Sequence, residues 1–178
     1  IIVSTGFELF DATQKDEYGY GEYLNVVNLG EVERMLSSAG PTQGHVVRPS
    51  DLKEPEKIVY IQCVGSRDEL TNRYCSRVCC MTAIKQARMI RDKTGAQIWI
   101  FYIDLRTFGK GYEEFYESTS KAGVNFIRGR VGEILENKDQ TLTVRGEDTL
   151  LSKPMELTDI DLVVLSTGVV PPAKAKDI

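Results

Sequence analysis

Two apolar runs that both stop at Ser-Thr-Gly, one at each end, restrict the fold more than any other feature. Ile1-Ile2-Val3-Ser4-Thr5-Gly6 opens the chain, and Leu162-Val163-Val164-Leu165-Ser166-Thr167-Gly168 nearly closes it. Short apolar runs closed by glycine read as buried strands of an α/β sheet. The chain is therefore predicted to run from one strand end to an equivalent one. It begins inside an apolar run and has no initiator Met, which predicts a piece excised from a longer protein.

Between the two ends the periodicities alternate. Residues 7 to 25, with Tyr18, Gly19, Tyr20, Gly21 and Tyr23, read as an extended connection. Asn28 can cap a short helix over Gly30 to Ser38, with Val32, Met35 and Leu36 on one face. Pro41, Gly44, Pro49 and Pro55 make residues 41 to 56 a loop. Ile58-Val59-Tyr60-Ile61 is a strand. Cys80, Ala83, Ile84, Ala87 and Ile90 recur at helical spacing, so a helix is predicted from about 77 to 92, stopped by Thr94-Gly95. A second strand follows at Ile98 to Ile103 and a helix from Tyr112 to Ala122-Gly123, with Phe115 and Tyr116 on its core face. The third strand is Val124 to Ile127. Residues 130 to 136 and 141 to 146 alternate around Asn137-Lys138-Asp139-Gln140 as a hairpin, and an exposed strand near 154 to 158 leads into the last apolar run. The fold class expected is α/β: a Rossmann-like three-layer domain, with a β-meander, a parallel sheet and helices.

With 178 residues, 42% hydrophobic and 27% charged, the chain is long enough for one proper core. A net charge of −4 and no basic block among aromatics argue against nucleic acid as partner. No apolar stretch is long enough to span a membrane and no basic secretory segment is present, so a cytoplasmic location is expected. His45, in a polar stretch, reads as a surface residue rather than a ligand.

All four cysteines of the chain, Cys63, Cys75, Cys79 and Cys80, are spaced C-x11-C-x3-C-C. Cys63 ends the first central strand, Cys75 lies in the next loop, and Cys79 and Cys80 begin the helix. In a β-α-β unit those places converge outside the carboxyl ends of the strands. A helix start offers unpaired N–H groups and positive potential, which lower thiolate pKa values and support an anionic cluster. Arg67, Arg73 and Arg77 can add charge or simply face solvent. Adjacent Cys79 and Cys80 strain a single tetrahedral zinc but can bind two irons of one iron–sulfur cluster. The spacing favours a cluster over zinc, and a zinc-bearing docking module stays as an alternative. A dinucleotide site needs G-x-G-x-x-G after its first strand, whereas Cys63-Val64-Gly65-Ser66-Arg67 supplies one glycine. Asp104 stands where a ribose-binding acid would, and reads as a strand-end cap. A degenerate NAD(P)-binding domain is the other alternative.

Several segments resemble the iron–sulfur flavoprotein subunit of heterodisulfide reductase: Gly19-Tyr20-Gly21, Ile61 to Asp68, Tyr74 to Met81, Phe101 to Asp104, and Phe108 to Glu113. The resemblance implies a thioredoxin-reductase-like FAD/NAD(P)-binding architecture, in which an FAD domain is split by an inserted nucleotide-binding-like domain. It implies that Cys63, Cys75, Cys79 and Cys80 hold a 4Fe-4S cluster. It also implies that Thr5, Gly6, Thr167 and Gly168 line or approach the FAD of the parent, which splits electron pairs between partners. The organisation then expected is a strand end and connection from a missing FAD-binding half over residues 1–25, a short helix and linker over 26–56, the Rossmann-like domain over 57–168, and the return to the FAD half over 169–178. By the same resemblance the chain works as an electron-transfer domain. Its partners are other heterodisulfide reductase subunits and a hydrogenase or other electron donor. It lacks the FAD fingerprint, so FAD is expected in the parent and not tightly bound here. Bare edges near 1 to 6 and 162 to 172 are expected to expose apolar surface and promote self-association.

Overall fold

The structure is a computed structural model, which describes residue 2, residues 4 to 173 and residue 175. In chain order its elements are β1 (Glu8–Leu9), β2 (Val26–Asn28), α1 (Leu29–Leu36), β3 (Lys57–Val64), α2 (Cys79–Thr94), β4 (Gln97–Tyr102), α3 (Tyr112–Lys121), β5 (Val124–Arg128), β6 (Val131–Glu136), β7 (Leu142–Asp148), β8 (Lys153–Ile160), β9 (Leu162–Thr167) and β10 (Val169–Val170). Five strands pair in parallel in the order β2-β9-β3-β4-β5. β6, β7 and β8 form an antiparallel meander.

The apolar runs of β3, β4 and β9 are continuous because both faces of the parallel sheet are covered. Period-two alternation sorts their side chains into two cores. Ile58, Tyr60, Ile98 and Ile100 pack with Ala83, Ile84 and Ala87 of α2 on the helix side. Val59, Ile61, Phe101 and Val163 pack with Ile134, Leu142 and Val144 of the meander on the other. Each such side chain, fully buried, stabilises the fold by roughly 1.5–3 kcal/mol relative to an exposed position. The expected three-layer α/β architecture is therefore present.

Local signals set the helix ends. Asn28 Oδ1 accepts from Gly30 N at 2.8 Å and Glu31 N at 3.1 Å, and Glu31 Oε2 accepts from Asn28 N at 2.7 Å. This reciprocal capping box contributes about 1 kcal/mol. α2 ends at Gly95, whose φ of 75° lies in the left-handed region that glycine enters without a Cβ clash. Among the described residues, no helix is long and apolar enough to cross a membrane.

Four expectations need correction. The strand over Ile1 to Gly6 is not formed where it is described: Ile2 is 94% exposed, and Ser4, Thr5 and Gly6 are exposed and outside any strand. Ile1 and Val3 lie outside the described residues. The connection that follows is not extended, but turns twice in short 3-10 helices at Ala12–Gln14 and Asp16–Tyr18. Val26–Asn28, read as part of a connection and helix, is an edge strand parallel to β9, too short to show a period. The segment near 162 to 172 is not a bare edge over its first part. β9 lies between β2 and β3, and every residue of it is buried. Exposed apolar surface is found near the start instead, at Ile2, Phe7 and Leu9.

Candidate metal centre

Cys63 ends up beside the start of α2 because β3 is broken just before its end. The β3–β9 register shifts between Ile61 and Val64, and Cys63 itself has a φ of 64°. Arg67 and Arg77, in the same loop, have φ values of 55° and 67°. A non-glycine residue in this region costs on the order of 1–3 kcal/mol, and such strain clusters at functional sites. The loop between Cys63 and Cys75 is a short hairpin-like excursion. Arg67 N donates to Tyr74 O at 3.0 Å, and Asp68 N to Asn72 O at 3.1 Å. Asn72 Nδ2 ties it to Gly65 O at 2.9 Å. The long gap in the cysteine spacing is thus folded away, and Cys75 returns to the sheet edge.

Cys79 and Cys80 are buried in the first turn of α2, and Cys63 and Cys75 are half-buried. The helix start has no side-chain cap and no acidic residue in its first turn, so its N–H groups remain available to an anion. The thiols perturb one another. Burial pushes Cys63 up to about 11, with Cys80 and Cys75 adding to the rise and Arg67 opposing it. The hydrogen bond to Cys80, followed by burial, raises Cys79 well above the usual thiol range. The same hydrogen bond brings Cys80 down to about 7, against burial and with help from the Arg106 backbone N–H and the Arg67 charge. Cys80 is thus lowered by its neighbour's thiol, Cys79 is raised by the same hydrogen bond and then by burial, and Cys63, on the strand, is raised by burial first. Arg77 N donates to Cys75 Sγ at 3.4 Å.

The arginines separate. Arg67 pairs with Asp104 at 2.8 Å beside the thiols. Arg73 pairs with Glu69 out in solvent, and Arg77 stacks 4.9 Å from the centre of the Phe108 ring. Asp104 answers Arg67 and Arg128, and these charges hold its carboxyl below the usual range, the Arg67 hydrogen bond first. His45 is exposed and pairs with Glu54 at 3.2 Å, away from the thiols.

The second Ser-Thr-Gly end is joined to this loop. Gly168 N donates to Val64 O at 2.8 Å, Val169 N to Ser76 Oγ at 2.9 Å, and Tyr74 Oη to Val169 O at 3.0 Å. Thr167 and Gly168 thus abut the cysteine loop, whereas Thr5 and Gly6 stand exposed before β1. Ser76 was not singled out by the sequence, although it lies between Cys75 and Cys79. Its partner is 93 residues away, so no local pattern could reveal it.

A cavity of about 660 Å³ opens between the carboxyl end of β3 and the meander, bordered by Lys15, Gln62, Cys63, Asp68 and Arg130 among others. A second, of about 700 Å³, is bordered by Cys75, Arg77, Arg106 and Phe108. The nucleotide turn is obstructed. Gly65 has a φ of 70°, and a Cβ there would meet the Phe10 ring at 2.1 Å. An aromatic ring therefore covers the backbone where a pyrophosphate would have to approach.

Two thiols at the helix start, one at the strand end and one in the loop form a soft donor set. Among the described residues, no three His, Cys, Asp or Glu side chains close around a single point as one ion would require. A tetrahedral zinc needs all its sulfurs about 2.3 Å from one metal, whereas a cluster takes its thiolates on separate irons. The thiols perturb one another without being gathered on one point.

No family model matches the chain. Comparison with characterised proteins gives 54% identity over 179 residues to a CoB--CoM heterodisulfide reductase iron-sulfur subunit of Methanopyrus kandleri, covering 97% of this chain and 27% of that protein. The corresponding subunit of the H(2)/formate:CoB-CoM heterodisulfide,ferredoxin reductase of Methanococcus maripaludis is 56% identical over 172 residues, covering 94% of this chain and 26% of that protein. The chain thus spans about a quarter of the length of the curated relatives it matches. In fold it is similar to thioredoxin reductase of T. acidophilum, with a TM-score of 0.54 and 13% identity over 97% of this chain and 45% of that one. L-lysine 6-monooxygenase of Pseudomonas syringae gives 0.51 and 12% over 85% and 42%.

Proposed function

The chain belongs to the family of the heterodisulfide reductase iron-sulfur subunit, and on that premise we propose that it is an electron-transfer domain in which Cys63, Cys75, Cys79 and Cys80 hold one 4Fe-4S cluster. Bound there, the cluster would supply one-electron transfer. The observation that carries the reading is that all four thiols of the chain lie near enough to perturb one another, at one strand end, its following loop and one uncapped helix start. The protein's own part is to hold them. Cys63 sits at the strained break in β3, the Arg67–Tyr74 excursion returns Cys75, and α2 carries the adjacent pair. Arg67, pinned by Asp104, sets positive charge beside the thiolates, which favours their ionised form.

The clamp of Gly168 and Val169 onto Val64 and Ser76 supports a further part of the proposal. Thr167 and Gly168 would line or approach the FAD of the longer protein, which would exchange electrons with a centre held by the thiols. Thr5 and Gly6 belong to the same proposal. Its partners are other heterodisulfide reductase subunits and a hydrogenase, formate-linked or ferredoxin donor, the kinds that the relatives' names point to.

Reconstitution of the chain with ferrous iron and sulfide without oxygen tests the reading. About four irons and four sulfides per chain, with a spin-half signal on reduction, are expected. Cys63→Ser should lose most of the visible absorption while keeping the far-ultraviolet spectrum of the fold. One zinc and no sulfide would sink the cluster reading, and so would an undiminished absorption in the Cys63→Ser chain.

A further inference from the structure

Buried polar atoms without a hydrogen-bond partner gather around the cysteine loop. Among the described residues they include both side-chain amide atoms of Gln62, the hydroxyls of Ser66, Ser166 and Thr167, and one guanidinium nitrogen of Arg67. Buried polar groups are paired almost without exception, because an unpaired one forfeits its hydration. Their concentration at one place points to a group that supplies the missing partners.

Gln62 is the clearest case. It is 6% exposed, directly precedes Cys63, and borders the same cavity. It stands at the break in the β3–β9 register, one residue before Cys63, whose thiol is perturbed by Cys80 and Cys75. A primary amide presents two N–H donors and needs an acceptor for them. It carries no charge, so it can sit beside anionic sulfur without adding an ion to the interior.

We propose that Gln62 donates a hydrogen bond from its amide to the sulfur of the cluster held by Cys63, Cys75, Cys79 and Cys80, and thereby raises its reduction potential. The inference rests on the cluster reading above. An N–H dipole aimed at sulfur stabilises the reduced, more negative state more than the oxidised one, which is how hydrogen bonds tune such centres. Gln62 is in this sense a positioning residue that acts through the cluster, and not a ligand.

The test compares the chain with Gln62→Met, which is near-isosteric and has no donor, and with Gln62→Glu, which exchanges the donors for lone pairs. All three are reconstituted without oxygen and titrated with dithionite and mediators while the reduced-state paramagnetic signal is followed. Equal iron and sulfide contents are expected. Both variants should show the one-electron equilibrium shifted toward the oxidised form by about tenfold, which is about 59 mV. Without iron, Gln62→Met should unfold at the same or a higher temperature than the unsubstituted chain, since an unpaired buried amide has been removed. Equal potentials at equal iron content would overturn the inference and leave the cluster reading standing. A less stable iron-free Gln62→Met chain would also overturn it, by making the amide a structural group. An unsubstituted chain that binds no iron and sulfide would remove the cluster reading and this inference with it.

Discussion

The parallel sheet has two edges made from the same strands, and they treat polar groups differently. At the amino edge, Asp161 accepts from Arg48 at 2.9 Å, Glu56 N at 2.8 Å and Lys57 N at 2.9 Å. Fully buried Asn25 donates to Gln140 O at 2.8 Å and accepts from Ser50 N at 3.2 Å. Arg48 Nε and Ser50 Oγ are left without hydrogen bonds there, though Arg48 Nε lies 3.4 Å from Asp51. At the carboxyl edge the backbone is strained at Cys63, Arg67 and Arg77, and Gln62, Ser66, Ser166 and Thr167 hold unpaired buried atoms. The amino edge closes most of its hydrogen bonds within the chain. The carboxyl edge leaves them open around four thiols. That asymmetry follows a general property of open α/β sheets, in which ligands bind beyond the carboxyl ends of the strands.

Substitutions at each edge can break this comparison. The largest expected loss of stability is at the amino edge. Asp161→Ala removes the acceptor of three hydrogen bonds and leaves Arg48, of which 12% is exposed, with Asp51 alone at 3.4 Å, so unfolding in urea should show a loss of about 3 kcal/mol. A loss below about 1 kcal/mol would mean that this edge is not the structural one. At the carboxyl edge, Gly65→Ala places a Cβ against the Phe10 ring at positive φ, which should cost about 2 kcal/mol. It should also lower iron uptake by displacing the loop that carries Cys75. Full stability with lost iron would sharpen the contrast, whereas full iron uptake would show that the loop tolerates movement.

The smallest effect is expected away from both edges. Gln86 and Lys85 of α2 hydrogen bond Glu33 of α1 at 2.9 and 2.7 Å. These bonds, Gln86 first, hold its carboxyl below the ordinary value of 4.5. A depressed folded-state pKa contributes stability that is present above 4.5 and lost as pH falls through the lower value. Glu33 is half-exposed, so solvent screens the pair and the contribution is about a few tenths of a kcal/mol. Acid titration of stability should show a slightly steeper decline for the native chain than for Glu33→Gln. Parallel curves would remove Glu33 from the acid limb.

Much of this protein follows from local chemistry. The capping box at Asn28, the stop at Gly95, the two apolar central strands and the Asn137 to Gln140 turn are short-range patterns, and each forms within a few residues of where it is read. The cysteines too are legible, because all four crowd between positions 63 and 80. The two Ser-Thr-Gly runs mark where local reading stops. Their residues are alike, yet Leu162–Thr167 is fully buried between β2 and β3, while Ile2 and Ser4 to Gly6 are exposed. A strand's hydrogen bonds belong to its neighbours, so a sequence run says what a segment can become and the neighbours decide whether it does. The same reason hid the Ser76–Val169 clamp, the covering of Gly65 by Phe10 and the unpaired amide of Gln62. Each depends on groups far apart in the chain that only the closed sheet brings within reach.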